Sequence, residues 1–310
     1  MRFGFWPSTA HTWEATLAVG RAAEASGWDG LWLPDHFMPP EGGYGDGTEP
    51  PGVEPELLPT QECWTMLAGL AAAVPRVRLG AMVTGNTYRH PAVLAKQAAT
   101  VDQISGGRLV LGLGAGWQEN EHRRYGIAFG TVRDRADMLD EACAVITGLF
   151  ANERTDFHGT HYRLEGAPLV PKPVQDPLPI MIGGRGERRT IPTMVRWGHE
   201  WNGWCTVADM GYFNALIDRL CDAAGRDPAT IARSTAVILQ LCDSEAQAAR
   251  LQSRSIGRPV LVGTPAQLVE HVAAYVAAGT DELIIPGFNM SPQQAPEIAE
   301  RFMTEVVAAL

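Results

Sequence analysis

Short apolar runs alternate with amphipathic helical stretches from one end of this chain to the other, and that rhythm restricts the fold more than any single motif. The runs Arg2–Trp6, Asp29–Pro34, Val77–Val83, Leu109–Leu113, Leu178–Ile182, Glu200–Trp204, Ser234–Leu241 and Glu282–Ile285 read as strands because each is short, apolar and bounded by turn residues. Helical patterns span Thr12–Ser26, Thr60–Val74, Pro91–Ile104 and Arg133–Phe150, start again near Glu187, and recur over Pro265–Ala278 and Pro296–Leu310. In the third of these, Leu94, Ala98, Val101 and Ile104 share one stripe, Pro91 suits the first turn, and Gly106-Gly107 stops the helix. Alternation of this kind calls for a parallel sheet. Eight units fit a closed (β/α)8 barrel of the α/β class, a TIM barrel, better than an open sheet. The reading is one domain, 1–310, with insertions at about 38–59, 117–132, 151–177 and 242–262. Within the third insertion, Thr155–Leu164 alternates around His158-Gly159 and predicts a small hairpin.

Bulk properties narrow the function. A formal charge of −10 argues against a general nucleic-acid surface. No apolar run approaches the roughly 18 residues of a membrane span. The opening MRFGFWPS enters a strand directly, without the apolar core of a signal peptide. The five cysteines are scattered and lack a CxxC pair, which predicts isolated thiols and a cytoplasmic location.

In a barrel of this type the chemistry sits where strands end and loops begin. The residues following the strands are Pro34-Asp35-His36, Thr84-Gly85-Asn86, Gly114-Ala115-Gly116-Trp117, Gly183-Gly184-Arg185, Trp201-Asn202 and Pro286-Gly287. Polar groups and glycines gather there, whereas the opposite loops are short and bland. Gly183 and Gly184 let the backbone approach a ligand, and Arg185, Arg188 and Arg189 oppose the macrodipole of the next helix unless an anion, such as a phosphate, relieves them. A glycine turn followed by a solvated basic helix face is the plainer alternative. Gly112–Gly116 fails the dinucleotide pattern GxGxxG and reads either as a strand end thinned for a flat group or as a structural bend. His36 suits a proton relay with Asp35 as its orienter, or the two only anchor the loop beside them. Neither a metal-ligand set nor a GxSxG nucleophile elbow is present.

The stretches GWDGLWLPDHF, VRLGAMVTGNTYRHPAVLAKQAATVDQISGGRLVLGLGAGWQENEHRRYGI, PLPIMIGG and GTPAQLVEHVAAYVAAGTDELII together resemble the bacterial luciferase-like flavin/deazaflavin superfamily, most strongly its coenzyme F420-dependent oxidoreductase branch. The resemblance implies a (β/α)8 barrel with a tricyclic cofactor head over the strand ends. By motif, Met82, Val83, Thr84 and Asn86 line the head, Gly114, Ala115 and Gly116 pass near the ring, and Gly183, Gly184 and Arg185 hold the phosphate. Trp201 and Asn202 complete the rim set assigned to the cofactor. The resemblance also implies a non-proline cis peptide near Met82–Val83, and a homodimer. Sugar-phosphate dehydrogenases of this kind carry a carboxylate after the Gly-x-Gly of the fourth strand, where this chain has Trp117.

Three functions share these residues. The first is an F420-dependent oxidoreductase passing a hydride between deazaflavin C5 and a small organic substrate, with His36 and Asp35 as the catalytic pair and the arginines meeting the acidic tail of the coenzyme. The second is an FMN-dependent monooxygenase supplied by a separate reductase. The third is a protein that binds flavin or deazaflavin without catalysis. Trp6, Trp117, Trp201 and Trp204 suggest an aromatic substrate pocket, while Tyr88, Arg89 and His90 read as the turn that starts a helix.

Overall fold

The strands run in parallel around a closed ring in a computed structural model that describes residues 1–43, 52–252, 257–288 and 290–310. In chain order they are β1 (Arg2–Trp6), β2 (Gly30–Leu33), β3 (Arg78–Ala81), β4 (Thr84–Gly85), β5 (Leu109–Gly114), β6 (Arg154–His158), β7 (Arg163–Pro168), β8 (Ile180–Gly183), β9 (Glu200–Gly203), β10 (Ala232–Ala236), β11 (Ile238–Leu241), β12 (Val260–Gly263) and β13 (Glu282–Pro286). The helices are α1 (Trp13–Ser26), α2 (Cys63–Ala73), α3 (Pro91–Ser105), α4 (Glu119–Tyr125), α5 (Val132–Ala151), α6 (Thr190–Trp197), α7 (Val207–Ala224), α8 (Glu245–Gln252), α9 (Pro265–Ala277) and α10 (Gln294–Arg301). The sheet runs β3-β2-β1-β13-β10-β9-β8-β5, and pairing of β3 with β5 closes it into the eight-stranded barrel. β4 continues the third staff after a cis peptide between Met82 and Val83, where the resemblance implied one, and pairs with the end of β5.

Strand alternation divides the core into two. Outward residues such as Phe3, Phe5, Leu31, Leu33, Leu111 and Ile182 pack under the helices, while Trp6, Trp32, Met82, Val110, Met181, Ala236 and Ile284 fill the barrel. Trp32 is fully buried, and its bulk fits because inward neighbours lack side chains: a Cβ on Gly4 would lie 2.4 Å from its Nε1, and one on Gly80 would lie 2.9 Å from its Cζ3. Below it, Glu282 accepts from Trp32 Nε1 (2.8 Å), Arg2 Nε (3.2 Å) and Arg78 Nη1 (3.1 Å), and Arg78 also pairs with Glu200. These charges close the end of the barrel where the strands begin.

Some boundaries differ from the sequence expectation. Ser234–Leu241 is two strands: β10 stays in the barrel, whereas β11 leaves to pair with β12 in a separate ribbon. No glycine or proline separates the two halves, so the sequence does not mark the change of partner. The helix expected from Glu187 begins at Thr190, and the last one begins at Gln294. The expected hairpin is present as antiparallel β6 and β7. The insertion at 117–132 carries the short helix α4. The insertions at 38–59 and 242–262 lie partly outside the described residues. No helix among the described residues is long and apolar enough to cross a membrane.

Candidate active site at the open end of the barrel

A cavity of about 520 Å³ opens where the barrel strands end. Its floor is built by subtraction. Val83 sits where Cβ atoms on two inward glycines would have to go: one on Gly114 would lie 2.7 Å from Val83 Cγ2, and one on Gly183 would lie 2.9 Å from both methyls. These glycines therefore seat the Val83 side chain, which lines the cavity with Met82 and Gly85. Gly114, Ala115 and Gly116 follow along one edge, and Gly183, Gly184 and Arg185 along the next. Gly184 has φ +126°, a left-handed conformation that favours glycine. The backbone amides of Arg185 and Gly186 reach no acceptor among the described residues.

One wall carries the proton chemistry. His36 lines the cavity, and its Nδ1 lies 2.8 Å from Oε1 of Glu121, a fully buried carboxylate in the first turn of α4. The other Glu121 oxygen accepts from the Phe37 amide (2.8 Å), and the Tyr88 hydroxyl also donates to Glu121. With the carboxylate as acceptor, His36 carries its proton on Nδ1, and Nε2 is the nitrogen available to the cavity. Burial, and then the neighbouring Glu121 charge, push the Tyr88 hydroxyl far above the usual phenol range, so it stays a donor. The segment behind His36 is laced to α4 by Gln118 Nε2 on Met38 O (2.7 Å) and Asn120 Nδ2 on Pro39 O (3.0 Å).

Asp35 does not orient His36. Successive residues of an extended segment face opposite ways, so Asp35 turns into the body of the protein. There Arg89 grips it through Nη1 (2.5 Å) and Nη2 (3.1 Å) while also reaching Glu62 (2.5 Å). Burial pushes the Asp35 carboxyl above its ordinary value, and Arg89 opposes that rise. Thr84 and Asn86, assigned to the cofactor head, are likewise buried away from the cavity. Thr84 accepts from Trp64 Nε1 (3.0 Å), and the Asn86 amide bonds to Gly114 O (2.9 Å). Trp201 is fully buried against Phe213 and does not line the cavity; its Nε1 donates to Gly184 O (2.8 Å) and holds the glycine turn from behind. Asn202 does line the cavity, tied to Ser234 Oγ (2.9 Å). Arg189 pairs with Asp137 on the outer face, and Arg188 is exposed. Arg185 alone of the three lines the cavity, 3.9 Å from Asp209. Glu121 and Tyr88 join the site unannounced, because nothing local in the sequence marks a carboxylate that will be buried or a turn tyrosine that will reach it.

A family model of luciferase-like monooxygenases matches residues 1–258 of the chain. An F420-dependent glucose-6-phosphate dehydrogenase of Kineococcus radiotolerans is 30% identical over 301 residues, covering 93% of this chain and 80% of that protein. An F420-dependent hydroxymycolic acid dehydrogenase of Mycobacterium tuberculosis is 29% identical over 289 residues, covering 90% and 75%. Among solved structures, an F420-dependent secondary alcohol dehydrogenase superposes with a TM-score of 0.83 at 18% identity, over 100% of this chain and 99% of that one. The F420-dependent tetrahydromethanopterin reductase of Methanopyrus kandleri gives 0.80 at 17%, over 99% of both chains. At such identities these structures speak for the fold.

Proposed function

This chain belongs to the luciferase-like monooxygenase family and is an oxidoreductase, and on that premise we propose that it uses coenzyme F420 to exchange a hydride with a small organic substrate, with His36 handling the accompanying proton. The observation that carries the reading is His36 held by buried Glu121 on the wall of a cavity whose floor is made of glycines. The relatives named F420-dependent dehydrogenases support the choice of cofactor.

The residues present fit such a group. Val83, Gly114 and Gly183 make a floor without projecting side chains above it, suited to a planar ring. The Gly183-Gly184 turn, with the Arg185 amide and guanidinium beside it, suits a phosphate. When bound, a deazaflavin supplies hydride exchange at C5 of its ring.

The protein contributes orientation and the proton. Nε2 of His36 takes the hydroxyl proton of an alcohol substrate, or returns one to a carbonyl oxygen. Glu121 fixes the imidazole in the tautomer that makes this possible and stabilises it while it is charged. Phe37 and Tyr88 hold Glu121 in place by donating to it.

Calorimetric titration of the purified protein with F420 and with FMN tests the cofactor. Tighter binding of F420 is the expected outcome, and tighter binding of FMN would instead favour a monooxygenase served by a separate reductase. Loss of turnover in His36→Ala, with F420 affinity retained, tests the proton role.

A further inference from the structure

The glycine floor and Arg185 occupy one side of the cavity; the other side is aromatic. Trp6 at the end of β1 packs edge-on against Phe288 (4.8 Å between centroids) and tilts against Trp204 (6.1 Å). Across from them Trp117 stands edge-on to the His36 ring at 5.4 Å, with 57% of its surface exposed. An indole that open, on the wall of a site otherwise lined by buried or half-buried aromatics, is apolar area that a ligand would cover.

Charge is scarce on this side. The described residues lining the cavity include no Asp, Glu or Lys. Of its two arginines, Arg185 stands by the glycine turn, and Arg258 lies over the Trp204 ring, its Cζ 4.4 Å from the centroid. The Trp6 indole N–H is buried without an acceptor among the described residues, a donor that a carbonyl or hydroxyl oxygen would satisfy.

We propose that the space walled by Trp6, Trp117, Trp204 and Phe288 is the substrate subsite and that it takes an uncharged aromatic alcohol or ketone in preference to a phosphorylated sugar. Trp117 sets this choice. Its ring stands edge-on to His36 on the cavity wall, where it covers one face of a substrate placed beside that imidazole. The inference rests on the deazaflavin reading only for its redox direction; the subsite is a property of these side chains.

The experiment is calorimetric titration of acetophenone and of glucose 6-phosphate into the wild-type protein, Trp117→Ala and Trp117→Phe, each with and without F420. Acetophenone is expected to bind at least about tenfold more tightly than glucose 6-phosphate. Trp117→Ala is expected to weaken it by about tenfold and Trp117→Phe by less than about threefold, in line with the worth of one aromatic contact. F420 affinity should stay within about twofold in both variants. Glucose 6-phosphate binding as tightly as acetophenone, or acetophenone affinity indifferent to Trp117→Ala, overturns the subsite. Failure of F420 to bind while acetophenone still depends on Trp117 overturns the cofactor reading and leaves the subsite standing.

Discussion

His36 and Glu121 are 85 positions apart in sequence and 2.8 Å apart in space, and Glu121 is held by two further donors, the Phe37 amide and the Tyr88 hydroxyl. That arrangement makes Glu121 a positioning residue for the proton chemistry. Replacing it with Gln keeps the shape and removes the charge. Glu121→Gln is expected to lower kcat by about ten- to a hundredfold while F420 affinity stays within about twofold. A parallel loss of affinity and turnover would instead mark Glu121 as a support for the whole wall.

Asp35, next in the chain to His36, answers to a different measurement. Its carboxylate is buried against Arg89, so Asp35→Asn leaves a largely buried guanidinium with Glu62 as its remaining carboxylate partner. A loss of about 3–5 kcal/mol of stability is expected, read as a lowered denaturation midpoint. His36→Ala, whose side chain faces the cavity, should melt close to wild type.

Val83 is wedged where Gly114 and Gly183 lack side chains. Gly114→Ala is therefore expected to destabilise by about 1–3 kcal/mol through overpacking and to weaken cofactor binding by lifting the floor. Adding Val83→Ala should recover most of both losses. A double-mutant cycle with no coupling would show that the methyls of Val83 do not occupy this space.

Trp201 holds the carbonyl of Gly184 through its indole N–H at 2.8 Å. Trp201→Phe keeps the packing against Phe213 and removes that hydrogen bond. A loss of about 1 kcal/mol, about fivefold in F420 affinity, is expected if the turn is the phosphate seat, and titration would read it directly.

At the closed end of the barrel, burial raises the Glu282 carboxyl above its ordinary value of 4.5 despite the opposing Arg78 and Arg2. An acid bound more tightly to its proton in the folded state loses stabilisation as pH rises from 4.5 toward that raised value. Glu282→Gln lacks this dependence. Its melting temperature relative to wild type should therefore climb as pH is raised from about 4.5 to 7. Thermal melts across that interval check the sign, and a relative fall would contradict it.

Much of the barrel could be read from the chain because its strands are buried on both faces and appear as short apolar runs between helices. His36, Met82, Val83, Gly114–Gly116, Gly183–Arg185 and Asn202 were legible as cavity residues by their place just after those runs. Asp35, Thr84, Asn86 and Trp201 share that place and turn the other way. Extended backbone sends neighbours to opposite sides, and the third staff breaks between Ala81 and Thr84, so a simple count of alternation does not carry through it. Glu121 and Tyr88 were illegible for another reason: their role is a contact between segments brought together only by closure of the ring.

Trp32 and the charges of Arg2, Arg78, Glu200 and Glu282 stopper the far end of the barrel. Whatever enters the cavity must leave by the same doorway. A cofactor and a substrate that both bind in this cavity would share that entrance. Packing at the end of the molecule farthest from the cavity in this way leaves the open end as the route for traffic.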